Sequence, residues 1–141
     1  MNSDSRIIKH PDRYSHRTLC QRLGLEPGMR AYIYAPENHA LWKQVPASVE
    51  LCETLCPRLD YIHVFVTRYA HLKRDFPRLK KVLSPRGMIW ISWPKRGPSV
   101  FDTNLNEHFV RDIGLQNALV DVKVVAVDEV WSGLKFVRRR T

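Results

Sequence analysis

The chain has no apolar run near the ~18 residues that a membrane-spanning helix needs, which argues against a transmembrane protein. Its first residues, Met1-Asn2-Ser3-Asp4-Ser5-Arg6, contain no hydrophobic secretory core, so the expected location is the cytoplasm. Cysteine is scarce: Cys20, Cys52 and Cys56 are the three. An odd number without a signal segment predicts free thiols in structural roles, and the separation of Cys52 from Cys56 is not that of a C-x-x-C redox or zinc pair. No His/Cys/Asp group has metal-ligand spacing, so no metal site is expected. Paired carboxylates are lacking as well. Asp128 and Glu129 are adjacent, and neighbours on an extended chain point apart. Acidic residues are few, 14 against 23 Lys and Arg, which leaves a formal net charge of +9. That balance can attract nucleic acid or another acidic partner. The cations are dispersed, however, with clusters only at Arg78-Lys80-Lys81 and Arg138-Arg139-Arg140, so this partner is suggested by charge alone.

What is present suffices for an ordinary domain. A chain of 141 residues buries roughly 68–70% of its unfolded surface, so the core needs neither disulfide nor metal. Residues 1–13 are polar and charged and read as a flexible basic tail, with one domain over 14–141. The organising stretch is Arg86-Gly87-Met88-Ile89-Trp90-Ile91-Ser92-Trp93-Pro94-Lys95. Its interior is apolar on both faces, as in the middle of a parallel sheet, and Pro94 lacks the donor that would extend the ladder.

Around that strand the pattern alternates. A helical spacing from residue 14 (Leu19, Leu23) stops at Gly24. A strand over 31–35 ends at Pro36, a short helix covers 37–43, and a weaker strand covers 49–55. The β-rich run 61–67 is a central strand. Tyr69, Leu72, Phe76, Leu79 and Leu83 line one face of a helix that Pro77 must kink or restart. A turn at 85–87 leads into the organising strand, and residues 96–103 form a loop. Asn104 and Glu107 resemble a capping box for a helix that Gly114 ends or loosens. Strands over 121–127 and 134–139 close the chain as an antiparallel pair. Strands alternating with helices predict a mostly parallel sheet with helices on both faces.

These residues resemble a known family. Leu23-Gly24-Leu25-Glu26-Pro27-Gly28-Met29-Arg30 is similar to the entry of class I S-adenosylmethionine-dependent methyltransferases, and residues 104–139 look like their final helix and β-hairpin. With His63-Val64-Phe65-Val66-Thr67, Ile91-Ser92-Trp93-Pro94-Lys95, Val120-Asp121-Val122-Lys123-Val124 and Asp128-Glu129-Val130-Trp131-Ser132-Gly133-Leu134-Lys135, the chain resembles a family of small bacterial proteins of unknown function with a reduced methyltransferase-like fold. The resemblance implies a three-layer, Rossmann-like α/β domain with a mostly parallel twisted sheet and a C-terminal antiparallel hairpin. It also implies S-adenosylmethionine as the cofactor to consider. One departure counts against that cofactor. Where the wider class carries a glycine-rich loop after its first strand, this chain has Ala35-Pro36-Glu37-Asn38-His39, which contains no glycine. Glu53, near the end of the second strand, is the one candidate for a ribose. No cofactor is therefore expected on the residues themselves.

Ligands of open α/β sheets bind outside the carboxyl ends of the strands. Parallel strands would bring the residues after 35, 67 and 93 to one edge, together with the 128–133 connection. Pro36, Glu37, Arg68, Trp93, Lys95, Asp128, Glu129, Trp131 and Ser132 are the candidate ligand-binding residues, with Trp93 and Trp131 meeting over one crevice and Lys95 or Arg68 holding an anionic group. Ser132 lacks an evident histidine base, and His63 reads as a hydrogen-bonded core residue. The expected function is non-catalytic binding of a small ligand. The alternatives are a methyltransferase with an unconventional cofactor loop and a binding module for nucleic acid.

Overall fold

The computed structural model describes residues 17–96 and 101–140. The expected tail over 1–13 and part of the expected loop over 96–103 lie outside the described residues. Six strands form one sheet: β1 (Arg30–Tyr34), β2 (Glu50–Leu51), β3 (Leu59–Phe65), β4 (Leu83–Pro94), β5 (Leu119–Ala126) and β6 (Trp131–Arg138). Their order across the sheet is β2-β1-β3-β4-β6-β5. The first four are mutually parallel, while β6 runs antiparallel to both β4 and β5. The expected terminal hairpin is present, and its last strand lies inside the sheet, between β4 and β5.

The sheet follows from β4. Ile89, Ile91 and Trp93 point to one face and pack with Leu72, Phe76 and Leu79 of helix α2 (Tyr69–Val82) and with Val110 and Ile113 of α3 (Glu107–Gln116). Trp90 points to the other face, under α1 (Leu19–Arg22) and Leu41 of a 3-10 turn (Ala40–Gln44). Period-two alternation thus feeds two cores from one strand. Burying each of these large side chains contributes about 1.5–3 kcal/mol. The Trp90 indole N–H, which cannot be left unpaired at that depth, donates to the Leu23 carbonyl at 2.8 Å and ties α1 to the sheet. Pro94 is the last residue of the strand, as its missing donor requires.

Several local expectations are corrected. The stretch 85–87 is not a turn but a bulge within β4, where the register against β3 shifts between Leu59 and Tyr61. Gly87 is required there, because a Cβ would sit 2.7 Å from the Leu59 carbonyl oxygen. The second strand shrinks to Glu50–Leu51 and the short helix to one 3-10 turn. Helix α2 does not restart at Pro77. Pro77 lies on the exposed face of the helix, as does Lys73, whose carbonyl loses its intrahelical donor. The N-cap of α3 is Asn106, whose side chain accepts from the Phe109 N–H. Asn104 serves α2 instead, accepting from the Tyr69 N–H at 2.8 Å. Gly114 neither ends nor loosens α3, which continues to Gln116. Its hydrogen makes room for Phe136, whose ring atom lies 2.0 Å from where a Cβ would be.

The thiols are also corrected. Cys20 is free and buried, but Cys52 and Cys56 form a disulfide. The Cys52 N–H donates to the Ala31 carbonyl and holds the end of β2 against β1. The chain then doubles back, which brings the two Cα atoms to 6.6 Å, within bridging reach.

Candidate functional site

The carboxyl ends of β1, β3 and β4 share one edge, and the turn before β6 arrives there because Pro94 pairs with Trp131 and Trp93 with Ser132. The candidate residues do reach that edge, but they divide between the two faces of the sheet. Trp93 packs with the α2/α3 core and Trp131 with the α1 core. A one-residue offset in the register is enough to separate the rings, because neighbouring positions alternate in direction. The two indoles therefore do not wall a common crevice.

On the α2/α3 side, Arg68 donates to Asp102 at 2.8 Å. Lys95 and Asp102 line a shallow hollow of about 340 Å3 beside the start of α3. On the other side, Asp128 organises the turn into β6. Its Oδ1 accepts from the N–H groups of Val130 and Trp131, each at 2.8 Å, and its Oδ2 lies 2.9 Å from His39 Nε2. His39 Nδ1 accepts from the Leu41 N–H. This fixes the tautomer: the hydrogen is on Nε2 and is donated to Asp128. Glu37 and Glu129 are exposed, and Ser132 is a half-buried ladder residue.

The segment after β1 occupies the position at which the resemblance would place a cofactor. The Pro36 carbonyl accepts from the Trp42 indole and from the His39 N–H. The His39 side chain is only 6% exposed and stands edge-on to Phe65, with ring centroids 5.0 Å apart. Phe65 in turn meets Trp131 edge-on at 4.9 Å. Side chains thus fill the space that a glycine cradle would leave for a nucleoside. These residues do not fit S-adenosylmethionine. Glu53 is exposed and does not line a cleft with them.

Beneath this plug lies a buried polar chain. Tyr61 Oη is 3.0 Å from His63 Nδ1, and His63 Nε2 is 2.7 Å from Ser92 Oγ. His63 and Ser92 are fully buried. Burial, with a smaller contribution from His39, pushes the His63 pKa down to about 3, so the ring is neutral. The expected core histidine is therefore present, and the serine it meets is Ser92, not Ser132. Two lone polar residues on adjacent central strands were the sequence signal for this pair.

The open cleft lies elsewhere. The sheet order reverses between β1 and β3, and ligands of open α/β sheets bind at such a switch point. Here a cleft of about 430 Å3 has Tyr32, Tyr34 and Val64 as its floor and His71, Arg74 and Arg78 of α2 as one wall. Among the described residues no helix crosses that face of β1, because the β2–β3 connection is too short to contain one. Asp75 accepts from Arg74 at 2.9 Å, which holds its carboxyl below the usual range and keeps the wall ordered. Tyr32 has its phenol raised, chiefly by burial. The sequence reading missed this cleft. Its signal was the pair Tyr32 and Tyr34, alternating on a strand that no helix follows on that side.

Among the described residues, no group of His, Cys, Asp or Glu could hold a metal ion. No protein-family model and no curated protein matches the chain. Solved structures do. A SAM-dependent methyltransferase from Aquifex aeolicus is 18% identical, with a TM-score of 0.55 over 89% of this chain and 88% of that one. Ribosomal protein L11 methylase from Lactobacillus delbrueckii subsp. bulgaricus is 13% identical, with a TM-score of 0.54 over 86% and 75%. Magnesium protoporphyrin IX methyltransferase from Synechocystis PCC 6803, solved with bound SAH, is 11% identical, with a TM-score of 0.56 over 86% and 78%. The fold is methyltransferase-like. The methyltransferase-like sheet explains why the switch point lies between β1 and β3. Among the described residues, no helix is long and apolar enough to cross a membrane.

Proposed function

We propose that this chain is a small-ligand-binding protein on a methyltransferase-like fold, acting in the cytoplasm, and that its ligand is a planar group carrying negative charge. The observation that carries the reading is the cleft of about 430 Å3 at the switch point, floored by Tyr32 and Tyr34 and walled by His71, Arg74 and Arg78. Its size suits a small molecule. Two phenol rings offer a stacking surface, and Arg74 and Arg78 share the single carboxylate of Asp75, which leaves the wall a net positive charge and guanidinium donors for a carboxylate or phosphate.

A second reading is S-adenosylmethionine-dependent methyl transfer. The structural neighbours favour it, since one of them holds bound SAH. It requires the cofactor to lie in the open cleft against Tyr32 and Tyr34, because the segment after β1 is closed by His39 and Asp128.

Thermal shift and calorimetry with S-adenosylmethionine, S-adenosylhomocysteine and a panel of aromatic carboxylates and nucleotides separate the two. The first reading predicts stabilisation by a planar anion that Arg78→Ala weakens at least tenfold, with no response to millimolar S-adenosylmethionine. A response to the adenosyl compounds that Tyr34→Ala abolishes would establish the second reading. If no panel member bound the wild-type protein, the ligand-binding proposal would fall.

A further inference from the structure

We propose that the amino edge of the sheet, opposite the cleft, is a sequence-independent binding site for the backbone of double-stranded nucleic acid. This rests on different residues from the small-ligand reading and does not depend on it.

Three elements converge at this edge. The bulge of β4 brings Arg86, the end of β6 brings Arg138, and the chain beyond it brings Arg139 and Arg140. Together they line a groove of about 640 Å3, and among the described residues no acidic one lines it. Arg138 is the fixed member. Its guanidinium donates to the carbonyls of Lys80 at 2.9 Å and Leu83 at 2.8 Å, so it caps the carboxyl end of α2. Arg86, Arg139 and Arg140 are exposed.

What sets the groove apart is that four arginines converge there with no carboxylate in the described lining. Elsewhere Arg30, Arg68, Arg74, Arg78 and Arg111 each have a carboxylate within ion-pair distance, Arg74 and Arg78 sharing that of Asp75. Among the described residues, none of the four groove arginines has such a pair. Cations held together without counter-charge form a field that a polyanion satisfies by displacing its own counterions.

The surroundings select the polyanion. A membrane-binding surface adds apolar side chains that enter the lipid, and the exposed large hydrophobic residues of this chain do not line the groove. A protein interface would offer a large aromatic or aliphatic anchor, and the described lining offers only the small Val137 and Pro85 among four arginines. Single-stranded nucleic acid is held by stacking on aromatic rings, and none of the described lining residues is aromatic. What remains is the phosphate array of a duplex. With no helix or strand presented to a base edge, the site carries no sequence preference.

The test is anisotropy of a fluorescent DNA duplex of about 20 base pairs, titrated at several salt concentrations. Three to four phosphate contacts give a log–log salt slope of about −3 to −4, and hence a loss of about a hundredfold between about 50 and 200 mM salt. The triple variant Arg86→Ala, Arg139→Ala, Arg140→Ala is expected to weaken binding at least tenfold at low salt and to reduce the slope to about −1. A control triple, Arg22→Ala, Lys43→Ala, Lys123→Ala, removes the same net charge from exposed positions elsewhere and is expected to bind nearly as the wild type does. Thermal melts of both triples establish that they fold. No duplex binding by the wild type would overturn the proposal. So would equal weakening by the control triple, tighter binding to the single strand, or binding to phosphatidylserine vesicles in place of the duplex.

Discussion

Acidification should destabilise this protein through one residue, His63. Its folded-state pKa is about 3, against 6.5 when unperturbed. Above pH ~6.5 both folded and unfolded chains hold a neutral ring, and stability does not depend on this group. Below it, the unfolded chain takes up a proton that the folded chain refuses. Unfolding is then favoured by about 1.4 kcal/mol per pH unit, which comes to about 3 kcal/mol at pH ~4.5. The loss is large against a typical total of about 5–15 kcal/mol. The assay is urea unfolding followed by tryptophan fluorescence at several pH values, for the wild type and for His63→Gln. At neutral pH the variant should be less stable by about 1–3 kcal/mol, since Tyr61 and Ser92 lose a buried partner. Between pH ~6.5 and ~4.5 the gap should close or reverse, because glutamine does not titrate. Asp75 and Asp121, both held below the usual carboxylate range by hydrogen bonds from arginine, also lose stability in acid. They do so equally in both proteins and cancel in the difference. A gap that stays constant across this range would refute the reasoning.

Three further outcomes follow from the packing. Gly114→Ala should cost at least 1–3 kcal/mol through overpacking, and Phe136→Leu on the same chain should recover part of it, because the clash is with that ring; paired urea melts check this. Asn104→Ala should cost about 1 kcal/mol by leaving the Tyr69 N–H at the start of α2 uncapped, whereas Asn104→Asp should not. Reducing the Cys52–Cys56 disulfide closes no large loop in reverse, so the chain-entropy loss is only about 2 kcal/mol, a fall in Tm of about 6 °C by differential scanning fluorimetry.

The sequence made the framework legible where one residue's neighbours decide its fate. The unbroken apolar run through Ile91 identifies β4 as central, Pro94 ends it, and the three-four spacing from Tyr69 to Leu79 marks the buried face of α2. It was less informative where the partner lies far along the chain. Asn104 resembles a cap for the helix just after it, yet the donor it meets belongs to Tyr69. Gly114 reads as a helix breaker until Phe136 is placed against it. Trp93 and Trp131 end up at the same edge, but the side each takes depends on the β4–β6 register, which no local pattern encodes. The pairing of Cys52 with Cys56 likewise depends on how tightly the chain turns between β2 and β3.

The position of β6 has a consequence for the newborn polypeptide. Its residues, 131–138, are made late, yet they occupy an interior slot beside β4. Until the ribosome has delivered them, β4 presents a long greasy border with unanswered amide groups, the kind of edge that other chains readily join. The domain therefore passes through a sticky adolescence, in which holding chaperones should matter more than they do for the finished molecule.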